Sequence, residues 1–283
     1  MRSISSVSGG RTSAYMSIHY PTDYYIFSLV LINHPPSQPS DKGLLREVKN
    51  RIPWFIASAE ADLTLLNLLK LEQRLGTEIK WVASEFTFDD FIESATDLPH
   101  YRSGKLMLPN SRTRFCTQNL KLYPIFWHCY LNYSQEVNPS PLLMNIGFRA
   151  DEPRRVSQWN CDKDAMRFPV SCNIFGQKRY RWKELRDWRV SQFPLYVDGI
   201  KKEEIHQFWE EEGWDFPQIS NCRFCFFHSD AEIASHSMSE ATNLQWWIEK
   251  EEKSGKSFGE RSLLSRIETP SQKGKDNSCF CTD

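Results

Sequence analysis

The sequence predicts an α/β protein that begins with a β-loop-α-β unit. The β-prone run Ser3–Val7 enters a Ser-Gly-Gly turn, and the turn leads into a helix-like segment, Ser13–His19. The next run, Tyr24–Ile32, is continuously apolar and β-branched, which is typical of a strand buried on both faces of a sheet. With 283 residues, the chain is long enough for one large α/β domain or for a core domain with a smaller appended region.

Further along the chain, helical and strand patterns alternate. Dense leucine spacing predicts a helix over Leu63–Leu75, and alternation of apolar positions predicts a strand over Glu78–Ser84. The remaining predicted elements are a loop at Pro35–Pro39, helices at Leu44–Lys49 and Thr87–Ser94, a strand at Pro141–Gly147, an amphipathic helix at Lys201–Glu212, a helix that ends near Lys253, and a partly mobile Gly-, Ser- and Lys-rich segment from Ser254 to Lys275.

Composition narrows the classes of function. The net charge of −1 and the sequence pI of about 6.7 provide no overall basic field for nucleic acid, so such a partner requires local patches. No long apolar span and no charged leader with an apolar stretch is present, so we expect a cytoplasmic protein without a membrane anchor or secretory signal. Eight cysteines in such a protein indicate metal-bound, redox-active or buried thiols rather than a disulfide framework.

The Ser-Gly-Gly turn has the composition of an anion-binding loop. Backbone N–H groups of the loop Ser8–Ser13 would converge with the start of the following helix, and that geometry binds anions. Most Gly-Gly pairs, however, are only tight loops. Support for a phosphate site must therefore come from elsewhere in the chain.

A second informative segment, Leu108–Ile125, gathers cations around a predicted helix start. Arg112, Arg114 and Lys121 flank Cys116, a composition suited to binding phosphates. A solvated basic end of a helix is the alternative interpretation.

A charged cluster directly follows the predicted strand Pro141–Gly147. The carboxyl ends of parallel strands are where α/β sheets bind their ligands. Arg154 and Arg155 would offer bidentate phosphate contacts, whereas Asp151 or Glu152 could hold Mg²⁺ or orient an arginine. The alternative is a surface turn.

The segment Tyr180–Arg189 interleaves cations with Trp182 and Trp188. Basic and aromatic residues together can bind a nucleic-acid strand, although Trp188 is equally suited to packing in the core.

Two close cysteine pairs lie in the last quarter of the chain. Cys222 and Cys225 form a Cys-x-x-Cys within the loop Asn221–Ser229, and Cys279 and Cys281 form a Cys-x-Cys in the tail. Thiolates in fours suit an iron–sulfur cluster or structural Zn²⁺. Cys129, Cys161 and Cys172 lack such spacing and are predicted to be buried or incidental.

Taken in order, these motifs resemble the phosphoadenosine phosphosulfate (PAPS) reductase-like branch of the PP-loop ATP pyrophosphatases. The matching stretches are Ser8–Ser13, Arg114–Thr117 with Lys121 and Pro124, Gly147–Glu152 and Asn221–Cys225, and the resemblance covers about residues 3 to 229. It implies a PP-loop or HUP-like fold, a mainly parallel twisted sheet of five or six strands flanked by helices. We expect a nucleotide-binding domain over residues 1–200 and a C-terminal helical region with the paired cysteines over residues 201–283.

The resemblance also implies an adenine-nucleotide site with Mg²⁺. The nucleotide-binding residues it implies are Ser8, Gly9, Gly10, Arg11, Thr12, Ser13, Arg114, Lys121, Gly147, Arg149, Arg154 and Arg155. Thr12 stands where the commonest form of the loop has Asp. A carboxylate for metal contact would therefore come from Asp151 or Glu152, which we also count as candidate catalytic residues.

The cysteines resemble the ligands of the iron–sulfur sulfonucleotide reductases. Cys116 matches one member of their Cys-Cys pair, Thr117 replaces the other, and Cys222 with Cys225 matches their later Cys-x-x-Cys. A fourth ligand of a [4Fe–4S] cluster would come from the tail, with Cys281 as the chosen candidate. Zinc is the alternative metal.

Three functions follow as hypotheses. The first is an ATP pyrophosphatase that adenylylates an acceptor, with sulfur then transferred to tRNA or DNA from a donor such as a cysteine desulfurase. The second is a sulfonucleotide reductase that uses Cys279 or Cys281 as its nucleophile, although the tail lacks the Gly and His typical of those enzymes. The third is a nucleotide-binding module without turnover.

Overall fold

The structure is a computed structural model that describes residues 2–93, 106–110, 113–133, 141–159, 164–174, 177–185, 188–217, 222–239 and 241–270. The strands are β1 Ser3–Ser6, β2 Tyr24–Leu29, β3 Leu31–Ile32, β4 Ala57–Ser58, β5 Ile79–Ala83, β6 Leu142–Asn145, β7 Met166–Ile174, β8 Gln177–Leu185 and β9 Arg189–Gln192. The α-helices are α1 Arg11–His19, α2 Lys42–Arg51, α3 Asp62–Leu75, α4 Phe88–Ile92, α5 Tyr123–Tyr133, α6 Pro153–Ser157, α7 Pro194–Val197, α8 Lys202–Glu211, α9 Asp230–Ser239, α10 Ala241–Ser254 and α11 Leu263–Glu268. A 3₁₀ turn spans Pro35–Ser37, and a π-helical stretch spans Thr117–Leu122.

A five-stranded sheet in the order β5-β2-β1-β6-β9 forms the centre of the fold, and all its pairings are parallel. The chain first builds outward from β1 through β2 to β5, and then returns to place β6 on the other side of β1. The direction of winding therefore reverses between β1 and β6. This arrangement confirms the predicted α/β class and a parallel sheet flanked by helices.

The two faces of the sheet carry different helices because side chains alternate along each strand. On β2, Tyr25 and Phe27 join a core with α1, α3 and α8, while Ile26 joins a second core with α5. Trp209 of α8 is almost fully buried in the first core. The sheet is thus covered on both faces, as its continuous apolar strands require.

The run Tyr24–Ile32, predicted as one strand, is divided in the structure. β2 pairs with β5 up to Leu29, and the chain then turns so that β3 pairs antiparallel with β4. Val30 lies at the break, where its carbonyl accepts a hydrogen bond from the N–H of Ala59 at 3.0 Å. Both strands are buried, so apolar residues continue through the break and the sequence does not mark it. The break is visible only in the pairing of β3 with β4.

Two further differences concern the second half of the chain. Residues 180–185 of the predicted cationic segment Tyr180–Arg189 belong to an antiparallel hairpin of β7 and β8, which the sequence did not indicate, and Arg189 begins β9. The predicted linker Ser254–Lys275 contains α11, whose Leu263 is buried and whose Arg266 pairs with Asp230 at 2.6 Å. Residues 271–283, with both tail cysteines, lie outside the described residues, as do Arg112 and Cys161.

The C-terminal helices share a core with residues of the first half of the chain. Trp246 and Trp247 of α10 pack with Phe88 of α4 and with Val30. The predicted domain boundary at residue 200 stays a prediction. Across the described ranges, no helix has the length and apolar character needed to cross a membrane.

Candidate phosphate site at the carboxyl ends of β1 and β6

The loop between β1 and α1 requires glycine at residue 9. Gly9 has φ of +75°, a conformation that residues with a Cβ rarely adopt. A Cβ at this position would lie 2.6 Å from Cγ2 of Thr64 on α3, which is closer than van der Waals contact allows. The loop therefore packs directly against the first turn of α3.

Hydroxyl groups within the loop hold its shape. The Ser13 hydroxyl donates to the Gly10 carbonyl at 3.2 Å and accepts from the Ser8 N–H at 3.1 Å. The Ser8 and Ser13 hydroxyl oxygens lie 2.9 Å apart. These hydrogen bonds within the loop fix its conformation next to the start of α1.

The start of α1 exposes several donors without an acceptor. Within the described part of the chain, the N–H groups of Gly9, Arg11, Thr12 and Ser13 make no hydrogen bond. The helix has no side-chain cap and no acidic residue in its first turn. Its partial positive charge is therefore left uncompensated, which favours an anion.

The segment after β6 reaches this loop. A Cβ on Gly147 would lie 3.3 Å from Cγ2 of Thr12, so a larger residue would crowd the loop. Nη1 of Arg149 lies 3.5 Å from Oγ1 of Thr12. The structure therefore brings Gly147 and Arg149 together with the predicted phosphate loop.

Two carboxylates hold Arg149 in place. Asp151 accepts from Nε and Nη2 of Arg149, each at 3.0 Å, and Glu152 lies 3.5 Å from Nη2. Burial alone would raise the pKa of Asp151, but the hydrogen bonds and charge of Arg149 outweigh burial and lower it. Arg155 pairs with Glu152 at 2.8 Å and lies over the ring of Phe148 at 4.0 Å.

Asp151 and Glu152 therefore already accept hydrogen bonds on all four carboxylate oxygens. A metal ion at either carboxylate would have to share the oxygens with these hydrogen bonds. The structure thus favours the second predicted role, which is to orient Arg149.

Helix α8 closes one side of the site. Nε1 of Trp209 donates to the Arg11 carbonyl at 3.0 Å, and the N–H of Lys202 donates to Asp151 at 3.2 Å. Burial lowers the pKa of His206 below its usual value, and the charges of Arg11 and Lys202 lower it further. The side chains around His206 therefore favour its neutral form.

The predicted basic segment lies beside the carboxyl end of β2. The Leu120 carbonyl accepts from the Ser28 hydroxyl at 3.0 Å, and Arg114 lies over the ring of Phe227 at 5.5 Å. Arg114 is thus directed to the Cys-x-x-Cys loop. Burial raises the pKa of the nearby Glu60 carboxyl, and the charge of Lys121 opposes that rise.

Three of the four proposed thiol ligands are brought into one apolar cluster. Cys222 and Cys225 are buried there, and the partly buried Cys116 packs against it. The loop turns tightly, because the Cys225 N–H donates to the Cys222 carbonyl at 3.1 Å. Among the described residues, no group of three or more His, Cys, Asp or Glu side chains is arranged around a metal position.

Within the described part of the chain, Arg154, Trp188 and Cys129 make no hydrogen bond or ion pair with the loop. Arg154 is exposed on α6. Trp188 is buried and packs edge-on against Phe126, so packing accounts for it. Cys129 is buried, and burial raises the pKa of its thiol to about 12.

Sequence reasoning missed two buried polar residues, Thr64, which packs against the loop at Gly9, and Glu60, which lies at the carboxyl end of β2. Glu60 is 1% exposed and Thr64 is fully buried, and each has an oxygen without a hydrogen-bond partner among the described residues. The one available signal was a charged residue that follows the small residues Ala57–Ala59 just before a helix.

No protein-family model, curated protein or solved structure matches the chain.

Proposed function

We propose that this chain binds an adenine nucleotide and activates an acceptor by adenylylation, in the manner of the PAPS reductase-like ATP pyrophosphatases that its motifs resemble. The observation that carries the proposal is the position of Ser8–Ser13 and Gly147–Arg155, which follow the two strands between which the winding reverses. Open α/β sheets bind ligands in the crevice at such a switch point. A PP-loop or HUP-like fold is part of this proposal.

The chemistry of the crevice suits the phosphates of a nucleotide. The N–H groups of Gly9, Arg11 and Thr12 supply neutral donors, and Arg149 supplies a fixed guanidinium that Asp151 already orients. A phosphate would accept from both kinds of donor without first breaking a hydrogen bond at the N–H groups. The position of Arg149 next to Thr12 favours an anion-binding loop over an ordinary tight loop.

The proposed step is a displacement at the α-phosphorus of ATP. An acceptor oxygen forms a bond to the α-phosphorus while the bond from that phosphorus to the oxygen bridging the α- and β-phosphates breaks. The electron pair leaves with pyrophosphate, and the acceptor proton passes to solvent. Arg149 stabilises the charge that develops on the leaving group, and Lys121 and Arg154 are proposed to assist. Mg²⁺ would enter with the phosphates, because the carboxylates of Asp151 and Glu152 are engaged by arginines.

A thiol-ligated metal centre is the second part of the proposal. Cys116, Cys222 and Cys225 provide soft donors in one cluster, and Cys281 of the tail would complete a set of four, with Cys279 as the alternative. A [4Fe–4S] cluster is preferred over Zn²⁺ on the family resemblance. When bound, it would serve sulfur delivery to the activated acceptor, and the chain's own residues would hold and shield it.

A nucleic acid is the proposed acceptor, and an exposed aromatic surface on α5 supports it. Tyr123, Trp127 and Tyr130 lie along one side of the helix with nearly parallel rings, and Trp127 and Tyr130 are exposed. α5 packs against β7 of the hairpin, whose second strand contains four cations, at Lys178, Arg179, Arg181 and Lys183. Exposed aromatic rings that can stack with bases suit single-stranded tRNA or DNA.

The test is release of pyrophosphate from ATP by anaerobically purified protein with Mg²⁺, with and without tRNA or single-stranded DNA. We expect release that depends on one of these acceptors. Arg149→Ala should reduce kcat/KM by about a hundredfold, since one fixed donor to developing charge contributes that much. Arg51→Ala is the matched control, because Arg51 is similarly half-buried and paired with a carboxylate, Glu72, outside the crevice.

Failure to release pyrophosphate with any acceptor, together with failure to bind ATP, would contradict the proposal. Binding without release would instead indicate a nucleotide-binding module. Reduction of an adenylyl sulfate with thioredoxin as electron donor would establish the sulfonucleotide reductase alternative.

A further inference from the structure

A buried carboxyl group at the carboxyl end of β2 lacks a full set of hydrogen-bond partners. Glu60 follows β4 and is 1% exposed. Its Oε2 accepts from the Val30 N–H at 3.2 Å, whereas its Oε1 has no hydrogen-bond partner in the described part of the chain. One turn later, the fully buried Thr64 hydroxyl has none either. Unsatisfied buried oxygens are costly, so two of them together indicate that donors come from outside the chain.

The fold places both groups at the edge of the proposed nucleotide site. Val30 directly follows β2, and β2 is the neighbour of β1 in the sheet. Thr64 contacts the loop at Gly9. The Glu60 side chain therefore lies at the carboxyl end of β2. The loop that would bind the phosphates follows β1, the neighbouring strand.

The charges around Glu60 favour a neutral donor over a further cation. Burial raises the pKa of Glu60 to about 7, although Lys121 and Arg223 oppose that rise. Arg223 also pairs with Asp62 at 3.1 Å, and its N–H donates to the Ala59 carbonyl at 2.9 Å. Two cations already lie near this carboxyl, so its open oxygen calls for hydroxyl donors rather than added positive charge.

Sugar hydroxyls are the donors that a nucleotide would bring to this place. In α/β sheets that bind dinucleotides, phosphates lie after the first strand and a carboxylate at the next position along the sheet accepts from the ribose. We propose that Glu60 binds the ribose hydroxyls of the nucleotide and so selects ribonucleotides over deoxyribonucleotides. This inference rests on the proposed nucleotide-binding function. Thr64 lies one helical turn away and would add a second polar contact.

The experiment compares the Kd values of ATP, 2′-deoxy-ATP and 3′-deoxy-ATP by calorimetry on the full chain. At pH 8, where Glu60 is ionised, we expect the wild-type protein to bind ATP about tenfold more tightly than at least one deoxy analogue, because a hydrogen bond to a charged acceptor is lost. Glu60→Gln keeps the shape and a neutral acceptor, so the ratio should fall to about threefold. Glu60→Met removes the acceptor and should bring the ratio to about one.

Glu251→Gln is the matched control, because Glu251 is a buried glutamate whose carboxylate accepts from the N–H groups of Phe258 and Leu263 far along the chain. Its ratio should equal that of the wild type. Equal affinities of the wild type for all three ligands, or an unchanged ratio in both Glu60 variants, would overturn the role of Glu60 while nucleotide binding stands. Failure of the wild type to bind ATP would instead overturn the proposed function and this inference with it.

Discussion

Replacing Gly9 by alanine should both destabilise the protein and abolish phosphate binding. The new Cβ would lie 2.6 Å from Cγ2 of Thr64 and 3.1 Å from its carbonyl oxygen. Because the second of these atoms is backbone, a rotamer change alone cannot relieve the contact. Either the loop moves away from α3 or the start of α3 shifts.

The cost has two parts. A Cβ at φ of +75° costs about 1–2 kcal/mol, and forced overpacking against α3 adds about 1–3 kcal/mol. Gly76→Ala isolates the first part, since Gly76 has φ of +64° at the end of α3 and no atom within 4 Å of the added Cβ. We therefore expect Gly9→Ala to lower Tm by on the order of 10 °C and Gly76→Ala by only about 3 °C.

Thermal unfolding with and without ATP measures both effects. The wild type and Gly76→Ala should gain several degrees from saturating ATP, because a ligand that binds only the folded state stabilises it. Gly9→Ala should gain none. Equal Tm values for the two variants would refute the packing argument, and an ATP-dependent gain in Gly9→Ala would refute the assignment of the loop.

Three further results are expected. Glu60→Gln should raise the free energy of unfolding at pH 8 by up to ~3 kcal/mol, and this gain should shrink toward pH 5. The reason is that the pKa of the Glu60 carboxyl rises from an ordinary 4.5 to about 7 in the folded protein, so its ionisation destabilises the fold increasingly above pH 4.5. A gain that is independent of pH in urea titrations would contradict this. Cys222→Ser should lose the metal found by elemental analysis, whereas Cys129→Ser should retain it; equal loss in both variants would show that the thiol cluster is not the site. Trp127→Ala should weaken binding of single-stranded nucleic acid about tenfold in fluorescence anisotropy, because base stacking is lost. Trp54→Ala removes a comparably exposed ring elsewhere and should leave binding unchanged. Equal effects of the two variants would argue against α5 as the nucleic-acid surface.

The local signals in the sequence were sufficient for the first half of the site. A β-prone run, a Gly-Gly pair and a helix start define the loop Ser8–Ser13, because each depends on neighbouring residues alone. The strand before Gly147 was likewise visible as an apolar run. The position of this strand next to β1 depends on long-range pairing. The sequence predicted that the charged cluster follows a strand, but not that this strand is the neighbour of β1.

The other half of the site could not be predicted, because it depends on tertiary packing. The division of β2 from β3 is set by pairing with β4, and that pairing carries Glu60 to the end of β2. The small residues Ala57–Ala59 before Glu60 are the one local signal, and they do not by themselves separate a buried carboxyl from an exposed acid before a helix. The engagement of Asp151 by Arg149 likewise appears only when both side chains are placed.

The most direct test of the central claim is the amide spectrum of ¹⁵N-labelled protein during titration with ATP. If the phosphates bind at the start of α1, the N–H resonances of Gly9, Arg11 and Thr12 should move downfield as they gain an acceptor, while that of Gly76 stays in place. Saturable shifts confined to other parts of the chain, with these three resonances unmoved, would contradict the claim.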